Sequence, residues 1–447
     1  MPGRSGRFHA NPLVWRSIAA RPHSFALPAA CQRGWEGALV ELRLPAYPER
    51  MPPEQLFERR LYRRNRPVVH WLFEATRRAG PVVTLPGIGG LVNDADVARA
   101  ILLDSVHFNS HGPGSFGALI TQALGPDALI NMDGPAHQRH KRALLEIFSH
   151  RYVAQIVTAF GGPMVARLAE RLAGGETVDF AAFMRDYGVA MAATLIGVPI
   201  DRAAAAAEHD DIFHLATEIM AFAGDGKRRL SPTQAARARA LGARLHAYVR
   251  RSFDGELGDD LSVTQRLRAG GLDFDAVKDL VTVVLVGATE LVIYGLPRAL
   301  AVIIDSGGQA ALRAAPEGLD AAIDEALRIT TPSNVILRAV GADCTVLGHR
   351  FRAGERVLIA FRNIMRRADR FADPDRFIPG RAMPPELRRL PFGAGPHTCL
   401  GAQLTLAEMR QVLGALIALP RPLTIGERRW HRGKLYPGYS RLMLSAS

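Results

Sequence analysis

Cysteine and lysine are scarce in this chain. Its 447 residues hold three cysteines, Cys31, Cys344 and Cys399, which lie far apart and match no zinc spacing. A disulfide framework and a structural zinc site are set aside, a reducing compartment is the simplest setting, and any cysteine chemistry rests on one residue. Only four of the 56 basic residues are lysines. The formal charge of +13 is therefore carried by arginine, spread along the chain rather than gathered in a tail, so nucleic-acid binding is not expected. Residues 1–45 lack a long apolar core and read as neither a secretory signal nor a membrane anchor. One apolar run, Leu280 to Leu296, approaches spanning length, but it contains Thr282, Thr289 and Glu290 and ends at Pro297. A buried helix is expected there, with no membrane span, in a soluble cytoplasmic protein.

Hydrophobic residues make up 48% of the chain, enough for a large core, and length alone leaves the domain count open. Helical patterns rich in Ala, Leu and Arg dominate: 54–79, the basic amphipathic stretch Ala136 to Phe148, then 154–174, 185–197, 203–223 and 233–253. Short β-type runs with glycine turns are expected over Gly80 to Asn93. Two short helices are predicted over 309–330, a small sheet region over 335–360, a helix from Leu400 to Ala418, and β-type pieces after it.

The run Phe392-Gly393-Ala394-Gly395-Pro396-His397-Thr398-Cys399-Leu400-Gly401 sets one cysteine between a glycine-rich loop and a helix start. Glycines let backbone fold closely round a ligand and aim amides at the sulfur, and the helix dipole at that point favours a thiolate. A lone cysteine in such a turn is more often a buried structural residue. The complete ten-residue pattern, however, resembles the haem-binding signature of cytochromes P450. Resemblance implies that Cys399 ligates the iron of haem b (iron protoporphyrin IX), that His397 bonds a haem propionate and that Phe392 packs near the sulfur. Thiolate ligation is how haem iron is tuned to break the oxygen-oxygen bond.

Other family features follow upstream. Glu325-Ala326-Leu327-Arg328, 74 residues before Cys399, resembles the family's Glu-x-x-Arg motif. Taken alone, the i, i+3 pair is a minor surface salt bridge; in the family it is buried and joined by an arginine, here Arg381. His137 and Lys141, one helical turn apart, and Arg338 match the family's propionate contacts, with Lys141 standing where most members carry arginine. The resemblance runs from about residue 50 to the C-terminus, strongest over 321–410 and weakest over 200–260. It implies a mainly α fold with minor β, a single cytochrome P450 domain over 46–447, and an N-terminal extension, expected to be flexible, over 1–45.

The distal helix departs from the family. Members usually carry Ala-Gly-x-Asp/Glu-Thr, whose acid and threonine serve proton delivery, whereas this chain reads Val286-Gly287-Ala288-Thr289-Glu290. Thr289 stands at the acid position and Glu290 at the threonine position. Both are catalytic candidates, with Glu290 expected over the haem and largely protonated at neutral pH. Pro297 is expected to kink or stop the helix. The function expected is monooxygenation of an apolar small molecule, with electrons from a ferredoxin or flavodoxin-type donor and its reductase docking near Arg388 and Arg389. The rivals are haem chemistry without monooxygenation (peroxide-driven oxidation, oxidative coupling or isomerisation) and a haem-binding sensor without turnover.

Overall fold

The computed structural model describes residues 53–200, 202–224, 228–257 and 260–446. The expected extension at 1–45, and Cys31 within it, lie outside the described residues. Two helices open the described chain, α1 (Pro53–Asn65) and α2 (Pro67–Thr76), split by Pro67 at the first position of the second. Strands β1 (Val82–Leu85) and β2 (Gly89–Val92) pair antiparallel, as the glycine turns between them suggest. Helix α3 (Ala95–Leu103) follows, capped by Asp94, whose carboxylate accepts the amides of Asp96 and Val97. Beyond the two-residue β3 (Phe108–Asn109) comes α4 (Gly134–Ile147), the basic amphipathic helix.

After the short β4 (Val178–Asp179), the helical body is built from α5 (Phe180–Thr194), α6 (Arg202–Gly224), α7 (Pro232–Phe253) and α8 (Phe274–Asp305). Asp273 caps α8, which threads the largest apolar core against α5. Among the described residues α8 is one helix long and apolar enough to cross a membrane, but most of that stretch is buried inside the protein, as expected of a core helix. Pro297 lies inside it, so of the kink or stop expected there the stop is corrected. Proline removes one ladder hydrogen bond, and here packing on every side of the helix outweighs that loss.

Helix α9 (Leu319–Thr330) leads into β5 (Ile336–Val340), the β6–β7 hairpin (Cys344–Val346, His349–Phe351) and β8 (Arg356–Ile359). The five-stranded sheet runs β1-β2-β8-β5-β3, with β2 and β8 parallel and the other pairs antiparallel. The C-terminal part supplies α10 (Ala402–Ile417), β9 (Leu423–Trp430) and β10 (Tyr439–Ala446), the last two forming a three-stranded sheet with β4. A mainly helical body with minor sheets is thus what the sequence pattern predicts. The 95–103, 116–124 and 263–269 helices carry too little periodic sequence to be singled out beforehand.

Candidate functional site

The cysteine loop closes on itself before α10 begins. The Cys399 amide donates to the Phe392 carbonyl at 2.7 Å, and Gly401 and Ala402 turn their amides to the sulfur. Gly395 has φ +67°, and a Cβ there would fall 2.5 Å from the Leu102 carbonyl at the end of α3, so both conformation and close approach demand glycine. Cys399 is exposed, yet it lies so deep that burial pushes its thiol pKa up, outweighing the two amides and the Lys141 ammonium. An accessible sulfur in a buried setting faces internal space. The helix-dipole expectation of a lowered pKa is corrected: desolvation wins, and a cation bound at the sulfur is needed to hold a thiolate there.

Beside the loop, a carboxylate gathers two histidines. His397 Nε2 lies 2.8 Å from Asp133 Oδ1, and His111 Nδ1 lies 3.0 Å from Asp133 Oδ2. Burial works to raise the Asp133 pKa, but both histidines overcome it and hold the group below its ordinary range. Arg338 is buried; desolvation lowers it to about 10, with Asp133 acting the other way. The His137 ring packs tilted against His397 with centroids 4.5 Å apart, is 1% exposed, and has no hydrogen-bond partner on either ring nitrogen. Burial, then the cations around it, bring its pKa down to about 4. Asp133 and His111 were missed by sequence reasoning, although Asp133 opens the very stretch that holds His137.

Lys141 is placed differently from its expectation. Its Nζ donates to the carbonyls of Pro396 and Thr398, the latter at 3.1 Å, so it fastens α4 to the cysteine loop. An open cleft beside it is lined by His137, Gln138, Lys141, Arg142, Leu145 and Pro396. Arg388 and Arg389 are exposed, with Arg388 3.5 Å from Asp324.

The Glu-x-x-Arg expectation holds. Glu325 accepts from Arg328 at 2.6 and 2.9 Å, from Arg381 at 3.0 Å and from the Ile378 amide at 3.0 Å, while Arg328 also donates to the carbonyls of Met365, Pro374 and Arg376.

On α8, Gly287 is exposed in the middle of a buried helix, and a Cβ added there would meet nothing within 4 Å. Internal space therefore opens on this turn too. Glu290, one turn on, is 4% exposed. Burial raises its pKa to about 7, well above the ordinary carboxylate range, against the opposing pull of Lys434 and Thr217. The Thr217 hydroxyl is near enough to act on Glu290 but closes no hydrogen bond of standard geometry. Buried Tyr436 lies within electrostatic reach of both Glu290 and Cys399. Thr289 is not brought to this space. Its hydroxyl donates back to the Leu285 carbonyl at 2.7 Å, on the face where α8 packs against Gly188 of α5.

A family model described as Cytochrome P450 matches residues 312–419. Pentalenic acid synthase of Streptomyces avermitilis is 30% identical over 295 residues, covering 65% of this chain and 69% of that protein. The cytochrome P-450 monooxygenase DoxA of Streptomyces peucetius subsp. caesius is 26% identical and covers 79% of this chain and 86% of its own. Among solved structures, P450BioI in complex with a hexadec-9Z-enoic acid-ligated acyl carrier protein superposes with a TM-score of 0.72 at 18% identity, over 88% of this chain and all of that one. The chain belongs to the cytochrome P450 family.

It is a haem-thiolate monooxygenase, acting on a small molecule with electrons from a redox partner. The residues present fit a haem. A buried histidine with two unspent nitrogens, a buried arginine and His397 gather around one carboxylate, Asp133, which marks the cluster as an anion site of the kind a propionate needs. Cys399 offers the only free sulfur beside it among the described residues.

Proposed function

We propose that this P450 binds haem b through Cys399, with His137, His397 and Arg338 holding the propionates and Phe392 and Lys141 shaping the loop around the sulfur. Bound there, the haem supplies the reductive activation of dioxygen and the transfer of one oxygen atom. The observation that carries the reading is the accessible Cys399 sulfur deep in the protein, with two backbone amides turned to it. One domain over 46–447, working in the cytoplasm, is the frame of the proposal.

The substrate is an apolar small molecule. Partly buried Phe116, Phe213, Val283, Leu291 and Leu435 gather with the buried side chains of α6, α7 and α8 on the side of α8 that carries Glu290. Such a lining holds a ligand by desolvation and leaves orientation to a few polar groups. Glu290 is the group we assign to proton delivery: a buried carboxyl near its midpoint can donate and be restored. The electron donor is a ferredoxin or flavodoxin-type protein with its reductase. Lys141 and Arg142 line the cleft beside the cysteine loop, Arg388 and Arg389 are exposed shortly before that loop in the chain, and Leu145 offers an exposed apolar contact.

The deciding experiment is the reduced carbonyl complex of purified protein. A red-shifted Soret band is expected, lost in Cys399→Ala and kept in Cys31→Ala and Cys344→Ala; loss in either of the latter two overturns the ligand assignment. A second reading, peroxide-driven oxidation, is favoured by the inward-turned Thr289 hydroxyl. Turnover with peroxide alone that matches turnover with donor, reductase and NADPH would select it.

A further inference from the structure

Helix α4 begins without the side-chain cap that its sequence offers. Asp133 stands at the cap position with extended backbone, as Asp94 and Asp273 do before α3 and α8, but its carboxylate accepts no amide of the first turn. It is turned instead to two histidines of different chain segments, with Oδ1 2.8 Å from His397 Nε2 and Oδ2 3.0 Å from His111 Nδ1. His397 is mostly buried in the cysteine loop, whereas His111, just after β3, is half exposed. Ser110 Oγ lies 3.5 Å from the same His397 nitrogen.

Asp133 does not use up the donors gathered here. Both ring nitrogens of His137 are unspent, and among the described residues the buried Arg338 guanidinium makes one hydrogen bond, to the Leu337 carbonyl. We propose that Asp133 competes with a haem propionate for His397, and that His111 is the partner that draws Asp133 away. The inference rests on the reading of His397 as a propionate contact. A ring N–H gives its proton to one acceptor at a time, so Nε2 cannot serve two carboxylates fully.

Charge works in the same direction. The Asp133 side chain is 15% exposed, so water screens its repulsion of a neighbouring carboxylate only in part. Pairing with His111 offsets that repulsion without occupying His397, and the half-exposed His111 ring keeps the pair in touch with solvent. Among the described residues no other carboxylate is hydrogen-bonded or ion-paired with either histidine. The competition for His397 is therefore between Asp133 and the propionate alone.

The test is haem transfer from the loaded full-length protein to an excess of apomyoglobin. Asp133→Asn removes the charge and keeps the shape, so haem loss should slow roughly tenfold. His111→Ala leaves the carboxylate with His397 as its remaining histidine, so haem loss should quicken. The double variant should match Asp133→Asn, because His111 acts only through Asp133. Opposite signs at the two positions, cancelled in this way, are not what a loss of packing gives. Faster haem loss in Asp133→Asn overturns the proposal and makes Asp133 the group that orients His397 toward the propionate. Should Asp133→Asn not fold, His111→Ala at its half-exposed site still decides: haem loss no faster than wild type overturns the proposal. His397→Ala tests the underlying reading separately. Unchanged haem retention there removes His397 from the propionate site, and the competition with it.

Discussion

Glu325 and Glu290 are both buried carboxyls on helices of one core, and their surroundings treat them in opposite ways. Glu325 accepts four hydrogen bonds, three of them from guanidinium groups of Arg328 and Arg381. Glu290 has one neighbouring hydroxyl, Thr217, and one ammonium acting from a loop. Satisfied donors and opposite charge keep a buried carboxylate ionised, whereas desolvation without them favours the neutral acid. The first arrangement is a fixed fastening between α9 and the chain that follows β8. The second leaves a proton free to move, next to the internal space opened by Gly287.

The largest expected effect breaks the first arrangement. Arg328→Ala leaves Glu325 facing only Arg381 and one amide, and strands the carbonyls of Met365 and Pro374, while the Arg376 carbonyl keeps Arg381 as its donor. Breaking a buried pair in this way costs about 3–5 kcal/mol, so little folded holoprotein should be recovered. Urea unfolding and haem content equal to wild type would show that the network does not hold the fold.

The second arrangement sets a pH dependence. Glu290 has a pKa of about 7 in the folded protein against an ordinary 4.5. Its folded value is raised, so its contribution to stability is fully present below about pH 4.5 and is lost as pH rises through 7. Glu290→Gln removes that slope and should gain on wild type by about 2–3 kcal/mol at alkaline pH. Parallel stability curves for the two proteins between pH 5 and 8 would contradict the assignment. In turnover the same variant should bind substrate normally, form product roughly 10- to 100-fold more slowly and divert electrons to peroxide.

The two regions also differ in how far the sequence reveals them. The cysteine loop and the Glu325 network depend on backbone turns and fixed spacings, so Gly395, Cys399, Glu325 and Arg381 are legible as a pattern before any coordinates exist. Around Glu290 the partners come from α6 and from loop 431–438, more than 70 residues away on one side and more than 140 on the other. No local spacing encodes such a meeting. Thr289 shows the same limit: its position on α8 follows from sequence, but its hydroxyl bonds its own helix because α5 packs against that face. At Pro297 the local cost argues for a stop, and tertiary packing carries the helix through it. Asp133 and His111 escaped because a loop residue and a helix-entry residue reveal nothing of their pairing until the fold brings them together.

The smallest expected effect lies between the two arrangements, at Lys141. Its ammonium joins α4 to the Pro396 and Thr398 carbonyls, so it holds the loop that presents Cys399 without holding the fold. Lys141→Met removes two charge-assisted hydrogen bonds at a half-buried position, where water replaces part of what is lost. A cost of about 1–2 kcal/mol follows, felt as haem loss roughly tenfold faster rather than as unfolding. Arginine at 141 keeps the charge but brings a broad planar fork to two carbonyls now met by one compact ammonium, so Lys141→Arg should fall between the two. Haem transfer to an excess of apomyoglobin measures the loss directly, with urea unfolding of the same samples alongside. A Lys141→Met protein that unfolds as readily as Arg328→Ala would place Lys141 in the fixed fastening with Glu325. One that loses haem no faster than wild type would mean that the loop holds Cys399 by its own turns, the Cys399 amide on Phe392 and the close approach of Gly395 to α3 being enough.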